Sequence, residues 1–485
     1  MSAADVDVAC RAAAGAFTAF RELAPEVRAN FLEEIARQLE ARDAAIIDCA
    51  MQESSLPRPR LTGELGRTTS QLRFFASWLR AGHWAGLRID SALPDRKPAP
   101  RPELRLRMVA VGPVAVFGAG NFPLAFSVAG GDTASALAAG CPVVVKAHPA
   151  HPRTSELAGE AIDAAVKACG LSAGVFSLVS GDGNAVGEAL VKHPAIQAVG
   201  FTGSRRGGLA LNALAQARPV PIPVYAEMSS INPVLVYPGA LSERGEALAK
   251  EYVGSLTLGV GQFCTNPGLL LLPASPEGDR FVATAAEAIA AVPAQAMTAP
   301  ALCDHYAAGV SKAAALARVR TVSTGPAADG LSRATLLETD AQTFLDTPAL
   351  HDELFGPAGL IVRCRDVSDF RAILEQLEGQ LTIALQIAVA DHGDAAALMP
   401  LLETRAGRIL VNGFGTGVEV AHAMVHGGPY PSTTDPRSTS VGTRAIDRFL
   451  RPVCYQNLPQ DLLPALLREG GAPGFPCLVD GTLRT

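Results

Sequence analysis

The chain has 485 residues, of which 48% are hydrophobic and 18% are charged, and its formal net charge is −6. This length predicts two or three domains with packed cores, and the composition excludes an intrinsically disordered protein. The acidic balance, without any cluster of lysine and arginine, argues against a nucleic-acid-binding surface.

The nine cysteines are scattered, and none belongs to a CxxC pair. This spacing suits neither a zinc site nor a disulfide framework, so we expect free thiols in a reducing compartment and no bound metal. The start of the chain, "MSAADVDVAC", carries two acids before any base, unlike a secretory signal. No apolar run reaches the ~18 residues of a transmembrane helix. We therefore expect a cytoplasmic protein with no membrane partner.

The first 85 residues predict helices, because "EVRANFLEEIARQLEARDAAIIDCAMQES" and "TTSQLRFFASWLRAGHW" carry apolar residues at helical spacing. Residues 86–110 are polar and rich in proline. Proline does not fit a central strand, so this segment is expected to form an extended arm.

Between residues 111 and 236, short β-branched runs alternate with alanine-rich helical stretches. The runs are "PVAVFG", "PVVVKA", "VFSLVSG", "AIQAVGFTG" and "PVYAEM". This alternation predicts a doubly wound parallel sheet that binds a nucleotide at the carboxyl ends of its strands. A second alternating region extends to about residue 445 and predicts a second α/β domain. The strand-like tail "RFLRPVCYQNLP" is expected to pair with the arm.

The stretch "GQFCTNPG", residues 261–268, places Cys264 on a predicted turn between a helix and the strand "LLLLPA". A loop can present a reactive thiol. A free cysteine also commonly fills space as a small apolar side chain. The local sequence leaves both interpretations open.

Asn121 follows the first strand in "VFGAGNFPLAF". Pro123 stands where a dinucleotide fingerprint requires a small residue, so a GxGxxG interpretation is weak. The amide of Asn121 could donate to an oxyanion, or it could cap a helix.

Two further strand ends carry candidate cofactor contacts. Lys146 and His148 end the second strand, where an acid commonly binds ribose hydroxyls. A cation there would tolerate a 2′-phosphate and favours NADP, unless Lys146 is a plain surface lysine. Gly203 and Ser204 lie in "GFTGSRRGG", a turn suited to pyrophosphate, although such turns also arise from packing alone.

Glu227 ends the apolar strand of "VYAEMSS". An apolar environment would raise the pKa of this carboxyl and suit it to general-base catalysis. The alternative is an acid at a strand end that meets water.

Over essentially its whole length, the chain resembles the aldehyde dehydrogenase superfamily. The resemblance rests on six strings that occur in this order: "GNFP", "VVVK", "FTGS", "AEMSSINP", "GQFCTNPG" and "DELFGP". The strings "KAHPAHPRTSEL" and "GVEVAHAMVHGGPYPSTTDPRSTSVG" are most similar to the 2,5-dioxopentanoate (α-ketoglutarate semialdehyde) dehydrogenases. NADP-linked medium- and long-chain aldehyde dehydrogenases share much of this pattern.

The resemblance implies that Cys264 is the nucleophile, that Asn121 and the Cys264 backbone N–H hold the oxyanion, and that Glu227 activates water. Hydrolysis to a free acid is then expected rather than transfer to coenzyme A. With NADP or NAD as the cofactor, the resemblance assigns Glu353 to the nicotinamide ribose and Phe355 to the neighbourhood of the ring.

The resemblance to the aldehyde dehydrogenases also implies two doubly wound α/β domains and a small oligomerisation arm. The cofactor domain is expected to comprise residues 1–85 and 111–229, and the catalytic domain residues 230–445. Residues 86–110 and 446–485 would form the arm and tail of a homodimer or homotetramer.

The substrate is expected to be a small aldehyde, with 2,5-dioxopentanoate favoured over a medium- or long-chain fatty aldehyde. Arg67, in "GELGRTTSQLRFF", would hold the distal carboxylate in the substrate tunnel. Alternatively, Arg67 caps the helix or pairs with Glu64 on the surface. A relative that kept the fold as a binding or structural protein would be expected to lose the thiol or the base, whereas both are present here.

Overall fold

The computed structural model describes residues 2–181 and 183–484. The α-helices are α1 (Ala3–Arg21), α2 (Pro25–Glu40), α3 (Asp43–Ser54), α4 (Arg58–Ala81), α5 (Gly131–Ala139), α6 (Pro152–Ala168), α7 (Ala185–Lys192), α8 (Arg205–Gln216), α9 (Pro238–Thr257), α10 (Pro276–Ala290), α11 (Pro300–Ala314), α12 (Ala341–Asp346), α13 (Val367–Gln376) and α14 (His392–Arg405). The strands are β1 (Leu87–Asp90), β2 (Leu104–Ala110), β3 (Val114–Phe117), β4 (Val143–Lys146), β5 (Phe176–Val179), β6 (Ala198–Thr202), β7 (Val224–Glu227), β8 (Val234–Val236), β9 (Leu269–Pro273), β10 (Arg320–Thr324), β11 (Thr335–Asp340), β12 (Ala358–Cys364), β13 (Gln380–Gln386), β14 (Ala406–Val411), β15 (Leu450–Gln456), β16 (Cys477–Val479) and β17 (Thr482–Arg484).

The first sheet is the predicted parallel sheet, with strand order β5-β4-β3-β6-β7. Its strands are apolar throughout because both faces are covered. Val114 and Val116 of β3 pack into the core shared with α2, α4, α5 and α6, whereas Ala115 and Phe117 pack into the core beneath α7 and α8. The strand order reverses beside β3, so the loops after β3 and β6 open a crevice at the carboxyl edge.

The second sheet has the order β10-β11-β12-β9-β8-β13-β14. Every neighbouring pair is parallel except β10 with β11. Strand β9 is buried along its whole length, with cores on both faces. The predicted α/β fold with two doubly wound domains is confirmed. The "GQFCTNPG" loop leads directly into β9, so the cysteine lies at an edge of this sheet.

A third, smaller sheet has the order β15-β2-β1-β16-β17. Strand β15 runs antiparallel to β2, from the pair Leu450 and Ala110 to the pair Gln456 and Leu104. The tail therefore pairs with the arm, as the sequence predicts. Within the described part of the chain, no helix has both the length and the hydropathy needed to cross a bilayer.

A buried ion pair joins the domain of the first sheet to the start of the tail. Nη2 of Arg448 lies 2.7 Å from Oδ1 of Asp132, in the first turn of α5, and both side chains are nearly inaccessible. The Arg448 guanidinium also lies 5.0 Å from the ring centroid of Phe449. Because neither charged group is solvated by water, each is stabilised mainly by the opposite charge of the other.

We expect Arg448→Met to lower the free energy of unfolding by about 3–5 kcal/mol, since it leaves the Asp132 carboxylate buried without its counter-ion. The urea midpoint of the purified protein measures this loss. The matched control is Arg73→Met, which removes an exposed ion pair with Glu40, 2.6 Å away. This change should lower the free energy of unfolding by at most about 1 kcal/mol. Equal losses in the two variants would contradict the assigned importance of the buried pair.

Candidate active site

The Cys264 loop is held by glycine backbones that no other residue could replace without movement. After α9, residues 258–261 form a short 3-10 turn in which Gly259 and Gly261 adopt positive φ. A Cβ on Gly261 would lie 2.3 Å from the carbonyl of Gly356. Cys264 follows on the turn between helix and strand, as predicted, and its side chain keeps part of its surface accessible.

Asn232 fixes the other side of this loop. Its Nδ2 donates to the carbonyls of Cys264 and Asn266, both at 2.9 Å. Its Oδ1 accepts from the hydroxyls of Ser230 at 2.8 Å and Thr382 at 3.2 Å. A buried amide with this many partners holds the backbone of the loop in a single position.

Glu227, the last residue of β7, is buried beside Cys264. Its Oε2 accepts from the Ser440 hydroxyl at 2.8 Å, and its Oε1 lies 2.9 Å from Nε2 of His426. Burial alone would raise the pKa of Glu227, but the His426 ring and these hydrogen bonds hold it below its usual value. The expected rise in pKa is therefore wrong, because the environment of the carboxyl is polar rather than apolar.

His426 is the functional residue that sequence reasoning missed. It is buried, and its Nε2 lies 3.3 Å from Sγ of Cys264 as well as 2.9 Å from Glu227. The backbone N–H of His426 donates to Oγ1 of Thr439 at 2.8 Å, which fixes the loop that carries the ring. The residue stands in "AMVHGGPYP", where no periodicity marks it.

Burial raises the pKa of the Cys264 thiol well above its ordinary value, and the negative charge of Glu227 adds to the effect. The thiolate is the reactive form of cysteine. His426, whose Nε2 contacts the thiol, is therefore a candidate acceptor for the thiol proton.

Asn121 lies in the loop after β3, ten residues before the start of α5 at Gly131, so the alternative of a helix cap is wrong. Its Nδ2 donates to the carbonyl of Gln262 at 2.9 Å. The Asn121 amide is thereby held against the Cys264 loop.

A cavity of about 360 Å³ opens at Cys264. Three aromatic side chains line it, together with the α4 face that carries Arg60, Glu64 and Arg67. The aromatic residues are Phe122, Phe126 and Phe263. The cavity thus offers an apolar wall and two guanidinium groups close to the thiol.

Arg67 is not the surface residue that one alternative predicts. One of its nitrogens donates to the carbonyl of Val418, and its guanidinium lies 5.3 Å from the ring centroid of Phe126. Its Nε and Nη2 are buried and have no hydrogen-bond partner among the described residues. Glu64 lies instead 3.5 Å from Arg60 and accepts from the backbone of residues 124 and 125.

The predicted cofactor residues lie at the carboxyl edge of the first sheet. Ser204 caps α8 by accepting from the N–H of Gly207, and a Cβ on Gly203 would lie 2.8 Å from the Phe201 ring. Lys146 ends β4. Burial, together with nearby His151 and Lys146, lowers the pKa of His148 to about 4, so Lys146 remains the cation at this strand end.

Glu353 and Phe355 precede β12 and line a second cavity, of about 290 Å³. Burial raises the pKa of Glu353 to about 8, although hydrogen bonds from Ser229 and the Ser230 backbone oppose the rise. The carboxyl edge of the first sheet thus presents a helix N-terminus and a cation, which is a donor set that fits a dinucleotide, whereas the Glu353 carboxyl lines the separate second cavity.

Comparison with known proteins is consistent with this geometry. The chain is 57% identical over 480 residues to α-ketoglutaric semialdehyde dehydrogenase 2 of Azospirillum brasilense, covering 99% of this chain and 91% of that protein. It is 48% identical over 482 residues to α-ketoglutaric semialdehyde dehydrogenase of Acinetobacter baylyi, with the same coverages. Aldehyde dehydrogenase C of Pseudomonas syringae, solved with NAD⁺ and octanal, has the same fold, with a TM-score of 0.79 at 21% identity over 94% of this chain and 89% of that one.

A model of the aldehyde dehydrogenase family matches residues 1–452. That match spans the crevice, the thiol loop and the buried glutamate alike. The chain therefore belongs to the aldehyde dehydrogenase family.

Proposed function

We propose that this enzyme oxidises 2,5-dioxopentanoate to 2-oxoglutarate with NADP⁺ or NAD⁺. The observation that carries the proposal is Arg67, whose buried Nε and Nη2 lack partners among the described residues beside the cavity of Cys264. Buried guanidinium nitrogens without partners favour an anionic ligand, and a carboxylate fits that fork. The names of the two relatives that share 57% and 48% identity support the same substrate.

In the first step, the Cys264 thiol loses its proton to Nε2 of His426, 3.3 Å away, in the form of the enzyme in which that nitrogen carries no proton. The imidazolium then lies between thiolate and carboxylate, since Oε1 of Glu227 is 2.9 Å from the same nitrogen. The thiolate attacks the aldehyde carbon and forms a C–S bond, while the carbonyl oxygen becomes an oxyanion. The Asn121 amide and the backbone N–H of Cys264 stabilise that charge.

A bound nicotinamide would supply the hydride acceptor, and loss of hydride from the thiohemiacetal would leave a thioester on Cys264. Glu227 then takes a proton from water as the water attacks the thioester carbon. The lowered pKa of Glu227 keeps it ionised at neutral pH for this role. The C–S bond breaks and the carboxylic acid leaves, the His426 imidazolium returns its proton to the Cys264 sulfur, and Glu227 releases the proton of the water to solvent.

For the cofactor, we assign Lys146 to the adenosine ribose or its 2′-phosphate, with His148 beside it. Gly203 and Ser204 would receive the pyrophosphate at the N-terminus of α8, and Glu353 the nicotinamide ribose, with Phe355 near the ring. The lysine at the end of β4, where an acid would repel a phosphate, supports acceptance of NADP⁺.

Arg60 is a second cation that the structure adds to the substrate cavity. Its guanidinium lies 4.4 Å from the ring centroid of Phe122 and 4.6 Å from that of Phe263. One of its nitrogens, Nη2, is buried without a partner among the described residues. We propose that Arg67 binds the distal carboxylate and that Arg60 adds positive potential farther along α4.

A second candidate substrate class is a medium- or long-chain aldehyde, which the three phenylalanines of the cavity favour. Two buried guanidinium groups disfavour it, because an alkyl chain leaves their N–H groups without acceptors. A catalytically inactive role is disfavoured because Cys264, His426 and Glu227 lie at hydrogen-bonding distances and Asn121 is held against the Cys264 loop through Gln262.

We also propose assembly into a homodimer or homotetramer through the sheet formed by the arm and tail, whose outer strand β17 exposes Leu483. All nine cysteines lie within the described residues and are free thiols, which supports a cytoplasmic location.

Glu227→Gln should release one equivalent of NADPH or NADH rapidly and then turn over ~10²–10⁴-fold more slowly, because the thioester has lost its general base. Stopped-flow absorbance measures the burst, and mass spectrometry of the intact protein detects the acyl group. Glu375→Gln, on the exposed face of α13, is the control and should behave as the wild type. An unchanged steady rate, or wild-type turnover that requires coenzyme A, would refute the hydrolytic role.

Arg67→Met should raise KM for 2,5-dioxopentanoate by roughly 10–100-fold, the equivalent of a lost charged hydrogen bond of ~1.5–3 kcal/mol. Methionine keeps the apolar stem against Phe126, so kcat/KM for hexanal should stay within about twofold. Arg73→Met, on the exposed face of the same helix, serves as the control.

A panel of purified aldehydes decides the substrate class in the same experiment. Equal losses on both substrates would remove Arg67 from carboxylate binding. Wild-type preference for long-chain aldehydes over the keto acid semialdehyde would favour the second candidate.

Lys146→Met should raise KM for NADP⁺ by ~10–100-fold and KM for NAD⁺ much less, because a charge-assisted contact to the 2′-phosphate is lost. Steady-state kinetics with each cofactor gives the ratio. Lys167→Met, an exposed lysine at the end of α6, is the control. An identical loss with both cofactors would exclude a phosphate contact.

A further inference from the structure

Three side chains from distant parts of the chain bring a sulfur, a nitrogen and an oxygen to one point. Cys264, Glu227 and His426 each offer one ligand atom, and the three atoms lie within 4.8 Å of one another. They are separated by 37 residues (227 to 264) and 162 residues (264 to 426), so no spacing motif reveals them.

Two of the three separations can be compared with those of a tetrahedral zinc site, and the third, between the sulfur and the carboxylate oxygen, is at most 4.8 Å. Around Zn²⁺, with a Zn–S bond of ~2.3 Å and Zn–N and Zn–O bonds of ~2.1 Å, neighbouring ligand atoms are about 3.4–3.6 Å apart. Here Sγ lies 3.3 Å and Oε1 2.9 Å from Nε2 of His426. Zinc binding therefore requires the Cys264 and Glu227 side chains to rotate so that the distances to Nε2 lengthen by about 0.3 Å for the sulfur and about 0.5 Å for the oxygen.

The ligands are also oriented from outside the cluster, as metal ligands usually are. Oε2 of Glu227 is occupied by the Ser440 hydroxyl, which leaves Oε1 turned towards His426. The backbone of His426 is fixed by Thr439. The cavity of about 360 Å³, lined by Cys264 and His426, gives a metal ion access and leaves room for a fourth ligand.

We propose that Cys264, His426 and Glu227 form a binding site for one Zn²⁺ ion that reversibly inhibits the enzyme. Binding replaces the thiol proton of Cys264, which is released to solvent, with a Zn–S bond, and no electron is transferred. Neutral His426 and the Glu227 carboxylate complete three protein ligands, and water takes the fourth position. The metal thereby occupies the nucleophile and the general base together. Hard cations such as Mg²⁺, which prefer oxygen ligands, should not compete.

The test uses the full-length purified enzyme in buffer free of thiols and chelators. Micromolar ZnCl₂ should bind at one ion per chain, abolish aldehyde oxidation and protect Cys264 from iodoacetamide, as measured by mass spectrometry of the peptide. EDTA should restore activity, and MgCl₂ should have no effect. With CoCl₂ in place of zinc, a thiolate-to-cobalt charge-transfer band should appear in the near ultraviolet.

Variants separate this site from general binding to thiols. His426→Gln should weaken zinc binding by at least ~10–100-fold, the usual cost of losing even an indirect support of a metal site, and should lose the cobalt band whatever its remaining activity. Cys454→Ser, at an exposed cysteine on β15, should bind zinc like the wild type. Any one of three results would overturn the proposal: unchanged zinc affinity in His426→Gln, loss of zinc binding in Cys454→Ser, or no zinc binding by the wild-type enzyme at micromolar concentration.

Discussion

The proposed active site depends on one nitrogen atom, Nε2 of His426, which lies within reach of both the proposed nucleophile, Cys264, and the proposed base, Glu227. Cys264 and Glu227 are both acidic groups next to each other, where burial disfavours their charged forms. The ring lowers the pKa of Glu227, whereas burial and the charge of Glu227 raise the pKa of Cys264.

This arrangement requires three parts of the chain to be placed together accurately. The segment of residues 426–440, which has little regular structure, provides the connection. Its residues Ser432 and Thr434 hydrogen-bond to the backbone around Glu227, at Met228 and Ala226, while Tyr430 accepts from Gly379 beside the second sheet. Because the same segment contacts both sheets, the distance from base to nucleophile depends on how the two domains pack.

The sequence predicts well those features that local patterns determine. The runs around Val116, Val145 and Val199 predict strands because β-branched residues bounded by helical stretches suit a sheet covered on both faces. The glycines around Cys264 likewise predict a turn. His426 could not be predicted, because its position depends on the path of a loop rather than on any period. The low pKa of Glu227 and the orientation of Arg67 depend in the same way on tertiary neighbours.

Arg60, Glu64 and Arg67 lie at positions i, i+4 and i+7 of α4 and so share one helix face. Glu64 ties this face to the loop after Asn121 by accepting from the backbone of Leu124 and Ala125. The side chains that would discriminate among aldehydes thus belong to an N-terminal helix, whereas the bond-making thiol belongs to a loop some 200 residues later, at position 264. Evolution, or a designer, could therefore exchange the arginines for apolar residues and redirect the enzyme to new aldehydes without rebuilding its chemistry.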